Sequence, residues 1–350
     1  MIQHWLKPLK KEFIEPLLSK NMAQFVDFHY ESFPVLRDGT VAIIGFSEDY
    51  DEVRKELYQN LQWHFGQMSV VDLGYLKKTE EMYLQPILQE LIEGNIFPIL
   101  LGMPIFLQNV VDRLLISKFK KFNFANISSR IVSVSKPNIH YLPIGYQQHY
   151  IHSAQFEQLD NLFRDHLRLG QFRANNEDAE VLLRSSILVN FDISCIRASD
   201  AIGQQMPSPN GVTSEEWCLL NRFAGISDAT KIISITGYDF SLDNQLVTAR
   251  LIAQGLWYLL EGIYERMGDY PSSLNNLVEY VVDIQSLDQY SIVFWKSTKS
   301  GRWWMEIEKS NLKLKQNKLL IPCSIQDYLK ASNNEIPDRL IKAISYMDEY

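Results

Sequence analysis

The side chains best equipped for chemistry in this chain are two carboxylates and three imidazoles. Asp192 closes the run Ile187 to Ile193, an apolar stretch of the kind that buries as a strand, so its carboxylate stands at a strand end. Asp239 follows a second such run, Lys231 to Thr236. His149 and His152 are three residues apart and would share one face of a helix, with His140 upstream. Carboxylates and imidazoles that converge can exchange protons or hold a divalent metal. Pro143 and Gly145 interrupt the histidine segment, which makes a solvated connection its plainer reading. Asp192, Asp239 and His149 are therefore weak catalytic candidates. Cys195 follows just beyond the Asp192 strand, but a nucleophilic thiol needs a base within hydrogen-bond reach, and a small packed thiol is the simpler role. No G-x-S-x-G elbow, phosphate-binding loop, dinucleotide glycine fingerprint or H-E-x-x-H motif occurs.

The elements that must position these groups read as alternating strands and helices. Val41 to Phe46, Ser69 to Gly74, Ile96 to Leu101, Arg130 to Ser135, Ile187 to Ile193 and Lys231 to Thr236 are short apolar runs, as buried parallel strands require. Between the first two, Val53, Leu57, Leu61 and Phe65 recur every four residues and stack on one helix face. A second helix spans roughly Glu80 to Glu93 and stops at Gly94. Thr213 three residues before Glu216 is a capping box for another. Residues 246 to 264 form a long helix, apolar around much of its circumference, which must pack deeply. Strands alternating with helices give a parallel sheet covered on both faces.

Composition bounds the partners. The chain has 350 residues, 46% apolar, and a net charge of −8, so a large core is affordable and no nucleic-acid footprint is expected. No stretch reads as a signal peptide or membrane span, and the expected location is cytoplasmic. Cys195, Cys218 and Cys323 are odd in number and widely spaced, which suits neither a disulfide framework nor a zinc knuckle.

Several stretches, in order, resemble the ureohydrolase superfamily of arginases, agmatinases and formiminoglutamases over about residues 36 to 268. Val71-Asp72-Leu73-Gly74 resembles its V-D-L-G step, and Pro98 to Gly102 its P-I-V-L-G. Tyr141 to Gln147 is similar to a formiminoglutamase stretch reading I-G-I-Q. Asn190 to Ser194, then Ser199 to Gly203 and Pro209 to Glu216, parallel S-x-D-x-D, D-P-x-x-A-P-G and G-G-L-T-x-R-E. Asp243 to Ala249 looks like the D-x-x-x-x-T-A closing helix. The resemblance implies a three-layer α/β/α domain with a mostly parallel central sheet over 36–268. A helical N-terminal segment, 1–35, precedes it, and a C-terminal α+β extension, 269–350, packs on it.

In that family two Mn²⁺ ions at the strand ends lower the pKa of a bridging water that attacks an amidine or guanidine carbon. Carried onto this chain, the opening G-G-D-H-S falls on Gly102, Met103, Pro104 and Ile105, with Ile105 in place of the histidine ligand. A gapless placement puts the three ligands of D-A-H-x-D on Ser135, Pro137 and Ile139, and brings Lys136 toward the same pocket. Asp192 is kept, the second aspartate of its motif becomes Ser194, and the late glutamate falls at about Gly237. Hard divalent ions need several oxygen or nitrogen donors, which a lone carboxylate does not supply. The expectation is a formiminoglutamase-like pseudoenzyme without metal or cofactor, serving interaction, assembly or sensing. Its emptied pocket would be lined by Gly102, Met103, Ile105, Ser135, Pro137, Asp192, Ser194 and Gly237. The alternative is a hydrolase of linear amidine C–N bonds, formimidoylglutamase-type, with a Mn²⁺ site rebuilt around Asp192, Asp239 and the His140 to His152 segment.

Beyond about residue 270, Tyr290 to Ser297 and Arg302 to Glu308 flank Thr298-Lys299-Ser300-Gly301, the composition of a β-hairpin. Lys318 to Pro322 adds a strand, and helices follow from Ser324 and over Pro337 to Met347. Neighbours on a strand point to opposite faces, so Trp295, Trp303 and Trp304 divide between them. Either the tail docks on the parent domain with all of them, or one aromatic face serves a protein partner. A homo-oligomer is implied by the family resemblance.

Overall fold

Runs of apolar residues with no polar alternation form the central sheet of the computed structural model, which describes residues 2–132, 136–161, 165–284, 290–308 and 318–348. In chain order its strands are β1 (Leu6–Lys7), β2 (Val26–Phe28), β3 (Val41–Gly45), β4 (Val70–Leu76), β5 (Phe97–Leu101), β6 (Phe122–Ile127), β7 (Ile139–Tyr146), β8 (Leu167–Arg168), β9 (Ser186–Asp192) and β10 (Ile232–Thr236). They lie in the order β1-β4-β3-β5-β10-β9-β6-β7-β8, with β2 also pairing β4. All pair in parallel except β1, which runs antiparallel to β4.

Successive strand residues feed opposite faces. Ile43 and Ile99 join one core with the helices Asp51–Asn60, Glu177–Arg184, Ser214–Gly225 and Val247–Tyr264. Ile44 and Leu100 join the other, under Glu81–Glu93 and Gln108–Phe119. The long helix, as expected, is deeply packed. A Cβ on Gly225 would stand 2.3 Å from the Leu259 carbonyl oxygen, and one on Gly262 would stand 2.5 Å from that of Arg222. Only glycine lets these two helices approach so closely. The Thr213 capping box forms as read, the Glu216 amide donating to the Thr213 hydroxyl at 3.2 Å.

Three expectations change. The N-terminal 35 residues are not simply helical, since β1 and β2 extend the sheet over β4. Arg130 to Val132 is irregular, residues 133–135 lie outside the described residues, and β6 and β7 flank this segment instead. The C-terminal sheet has a strand the sequence did not reveal. It comprises β11 (Leu277–Ile284), β12 (Tyr290–Ser297), β13 (Trp303–Glu308) and β14 (Lys318–Cys323), antiparallel in that order, with the expected hairpin as β12–β13. Among the described residues no helix is long and apolar enough to cross a membrane.

Trp303 and Trp304, neighbours on β13, point to opposite faces, as strand alternation requires. Trp303 and Trp304 are both buried. Trp304 receives the Arg184 guanidinium over its ring at 5.0 Å, and Trp303 stacks on Tyr328 at 4.8 Å. One side of β13 thus docks on the parent domain while the other carries the helix Ile325–Ser332, so both faces are filled. Trp295 is half-buried and donates its indole N–H to Glu306 at 3.0 Å.

Candidate functional site at the strand ends

In an open parallel sheet the crevice beyond the carboxyl ends of the strands is where ligands bind. Here β5, β10, β9 and β6 are successive neighbours, so the segments that follow them form one rim. After β5 the chain turns through Gly102, whose amide donates to the Ile235 carbonyl at 2.8 Å. Met103 is buried, whereas Ile105 is 75% exposed and Phe106 58% exposed. Ile202 and Met206 on the loop after β9, and Phe240 and Leu242 after β10, are exposed as well. These exposed positions are apolar, where a metal-binding rim would carry oxygen and nitrogen donors.

Asp192 ends β9 and lies in this crevice. Its Oδ1 accepts from the Ser194 amide at 2.8 Å, the local bond that starts the short turn Ile193–Cys195. Burial raises its pKa above the usual carboxylate range, and hydrogen bonds from Ser194 partly offset that rise. No ion pair reaches it among the described residues, as the charged pairs of this protein lie elsewhere. Gly237 follows β10 with φ +83°, and a Cβ there would stand 2.6 Å from Asp192 Oδ1. The position expected to carry the family's glutamate is thus fitted to glycine. The Ser129 hydroxyl meets that of Ser194 at 3.2 Å.

The other candidates do not converge on Asp192. Asp239 accepts from the Ser241 amide at 3.1 Å and hydroxyl at 2.6 Å, and that side-chain bond holds its pKa below the ordinary value. His149, exposed, packs beside Tyr150 at 4.3 Å past the carboxyl end of β7, on the crevice side but with β6 between β7 and the Asp192 strand, while His140 sits near the amino end of β7. With about 3.3 Å of rise per strand residue, β7 holds the two histidines far apart. Cys195 is fully buried, and burial pushes its thiol well above the ordinary value, which leaves it no thiolate nucleophile. Among the described residues no group of three or more His, Cys, Asp or Glu stands where it could hold a metal ion.

The gapless placement on Ser135, Pro137 and Ile139 slipped. Ser135 lies outside the described residues, and Ile139 pairs with Phe122 at the amino end of β6, across the sheet from the crevice. Lys136 turns away to Asp112 at 2.7 Å and Asn109 at 2.8 Å. The segment that does border Asp192 is Ser128-Ser129-Arg130, at the carboxyl end of β6. The interrupted run Phe-Asn-Phe-Ala-Asn-Ile hid that strand, though its alternation was a usable signal.

Sequence reasoning also missed the polar row beneath the crevice. Asn190 accepts from Ser234 at 2.7 Å and Thr236 at 3.2 Å, and donates to Asn126 at 2.8 Å. Asn126 donates onward to Ser128 at 2.9 Å and Tyr141 at 3.0 Å. Neutral amides and hydroxyls satisfy one another across four strands, which fixes the strand ends without any ion.

No family model matches the sequence, and no curated protein matches it either. Solved structures do. A formiminoglutamase of Trypanosoma cruzi with Mn²⁺ superposes with a TM-score of 0.59 at 15% identity, over 67% of this chain and 96% of that one. The formimidoylglutamase of Bacillus subtilis gives 0.58 at 14%, over 71% and 93%. The arginase of Bacillus subtilis gives 0.51 at 14%, over 63% and 98%. The protein therefore has the arginase-like fold.

Proposed function

We propose that this is a non-catalytic ureohydrolase-fold protein whose strand-end crevice has become a surface for interaction, assembly or sensing. The observation that supports this reading is the apolar character of exposed positions around the Asp192 crevice, Ile105 and Phe106 among them, on the stretch that resembles the first metal-binding element of such enzymes. A cluster of two Mn²⁺ ions asks for several carboxylates and imidazoles, and Asp192 with the hydroxyls of Ser129 and Ser194 is a poor donor set for it. Exposed Ile105, Phe106, Met206 and Phe240 make the rim the kind of apolar patch that partners cover. Assay of the purified protein with Mn²⁺ and N-formimidoylglutamate, agmatine or arginine tests it. No product above that of an Asp192→Asn variant is expected, whereas turnover abolished by that substitution would overturn the reading.

That last outcome would support the second reading, a hydrolase of linear amidine C–N bonds. Its support is that the structural neighbours are hydrolases and that Asp192, held toward its protonated form, is chemically suited to act as an acid.

A homo-oligomer belongs to the interaction reading. Beyond the family resemblance, its support is β11, an eight-residue edge strand with exposed Val278, Tyr280 and Val281. The parent sheet ends instead in strands of two or three residues, a common way of blunting an edge. Light scattering on the parent chain and a Val281→Lys variant reads this directly: self-association through β11 is weakened by the lysine.

A further inference from the structure

At the other end of the sheet, beneath the amino ends of β5 and β10, lies a cavity of about 110 Å³. Its walls include Ile92, Phe97 and Ile263, and two cations line it, Lys231 and Arg266. Lys231 immediately precedes β10 and forms no ion pair among the described residues. Arg266 follows the long helix. Its Nε donates to the Gly225 carbonyl at 2.8 Å and its guanidinium lies over the Phe97 ring at 4.8 Å, but its buried Nη2 has no hydrogen-bond partner among the described residues.

Two like charges beside one part-buried cavity are costly unless something opposite in sign sits between them. Each bears the mark of that cost. Burial, then the neighbouring Arg266, lowers the pKa of Lys231, and burial lowers that of Arg266 to about 10. Lys118 adds to the same field while donating to the Ile92 carbonyl at 3.1 Å. The acids nearby are otherwise engaged. Asp228 attracts both cations from beyond ion-pair distance and accepts from the Asp269 amide at 3.2 Å, and Asp38 accepts from Asn95 at 2.8 Å. In a chain of net charge −8, this is a local reversal of sign.

We propose that this cavity is a binding site for a phosphate dianion, free or as the monoester of a small molecule, held between Lys231 and the unpartnered Nη2 of Arg266. Two positive charges match its two negative ones, and the guanidinium edge and ammonium together supply the donors that phosphate oxygens accept. The apolar walls leave room for a short organic group. The site is independent of the strand-end crevice, since it occupies the opposite end of the sheet.

Calorimetric titration and melting with inorganic phosphate, at ionic strength held constant by sodium chloride, test this on the full chain. Saturable binding of phosphate is expected, with a rise in melting temperature that chloride does not give. Tighter binding of glycerol phosphate than of phosphate would support the site and identify the monoester as the source. Lys231→Met keeps the aliphatic stem and removes one charge. It should weaken phosphate binding at least about tenfold, and in chloride alone it should melt no lower than the parent, because it relieves a repulsion. Lys231→Arg should retain binding. Phosphate and monoester both indistinguishable from chloride, binding unchanged in Lys231→Met, or a Lys231→Met variant that melts well below the parent would each overturn the proposal.

Discussion

Asp72 and Asp192 are aspartates of two strands in the same sheet, and their surroundings are opposite. Asp72, on β4, is fully buried and fully answered: Arg54 donates to it from Nε at 2.8 Å and from Nη2 at 3.3 Å, Tyr58 at 2.6 Å, and the Gly74 amide at 2.9 Å. Asp192, on β9, has the Ser194 amide and no cation. An aspartate that belongs to the scaffold is surrounded by its own counter-charge. One that stands in a crevice without counter-charge has no such structural partner, and a carboxyl shifted by burial there is a candidate functional group.

The comparison can be broken by substitution. Asp72→Asn should have the largest effect, because it leaves Arg54 charged and buried without its partner, at a cost of about 3–5 kcal/mol in urea unfolding. A loss below about 1 kcal/mol would show that the pair is not the anchor it looks to be. Gly237→Ala comes next. A left-handed backbone costs an L residue about 1–2 kcal/mol, and the new methyl would press on Asp192, so a destabilisation of at least that size is expected. Asp192→Asn is the smallest and has the opposite sign. The fold favours the protonated carboxyl, so ionisation costs stability at neutral pH, and that cost fades as pH falls through the raised folded pKa to the ordinary carboxylate range. The asparagine variant, still able to accept from Ser194, should be more stable than the parent at pH 7, on the order of 0.5–1 kcal/mol, with no advantage in acid. Equal stability at both pH values would place Asp192 in effective contact with solvent.

Much of the scaffold was legible in the sequence because it is written in continuous runs. Val41 to Phe46, Ile96 to Leu101 and Lys231 to Thr236 declare buried strands, and Thr213 with Glu216 declares a helix start. Strands built with polar members were not. β6 carries Asn123 to Ser185 at the end of a helix and Asn126 to Asn190 on β9, so its polarity looked like a loop until those partners were visible. That miss put Ile139, which pairs at the amino end of β6, into the candidate pocket and left out Ser129, which meets Ser194 beside Asp192. The role of Asp72 was hidden for the same reason, since nothing local shows that Arg54 and Tyr58 turn toward it from the helix Asp51–Asn60. Burial of Trp303 and Trp304 on both sides depends on Arg184 and Tyr328, distant residues that a hairpin pattern cannot name.

As proposed, the strand-end crevice around Asp192 does not hold the metal pair of the ureohydrolases. Elemental analysis of the protein after equilibration with Mn²⁺ and dialysis, joined to melting curves with and without the ion, tests it most directly. The account predicts manganese far below one ion per chain and an unchanged melting temperature. About two Mn²⁺ per chain, with a melting temperature that rises with added Mn²⁺ and no longer does so in Asp192→Asn, would contradict it.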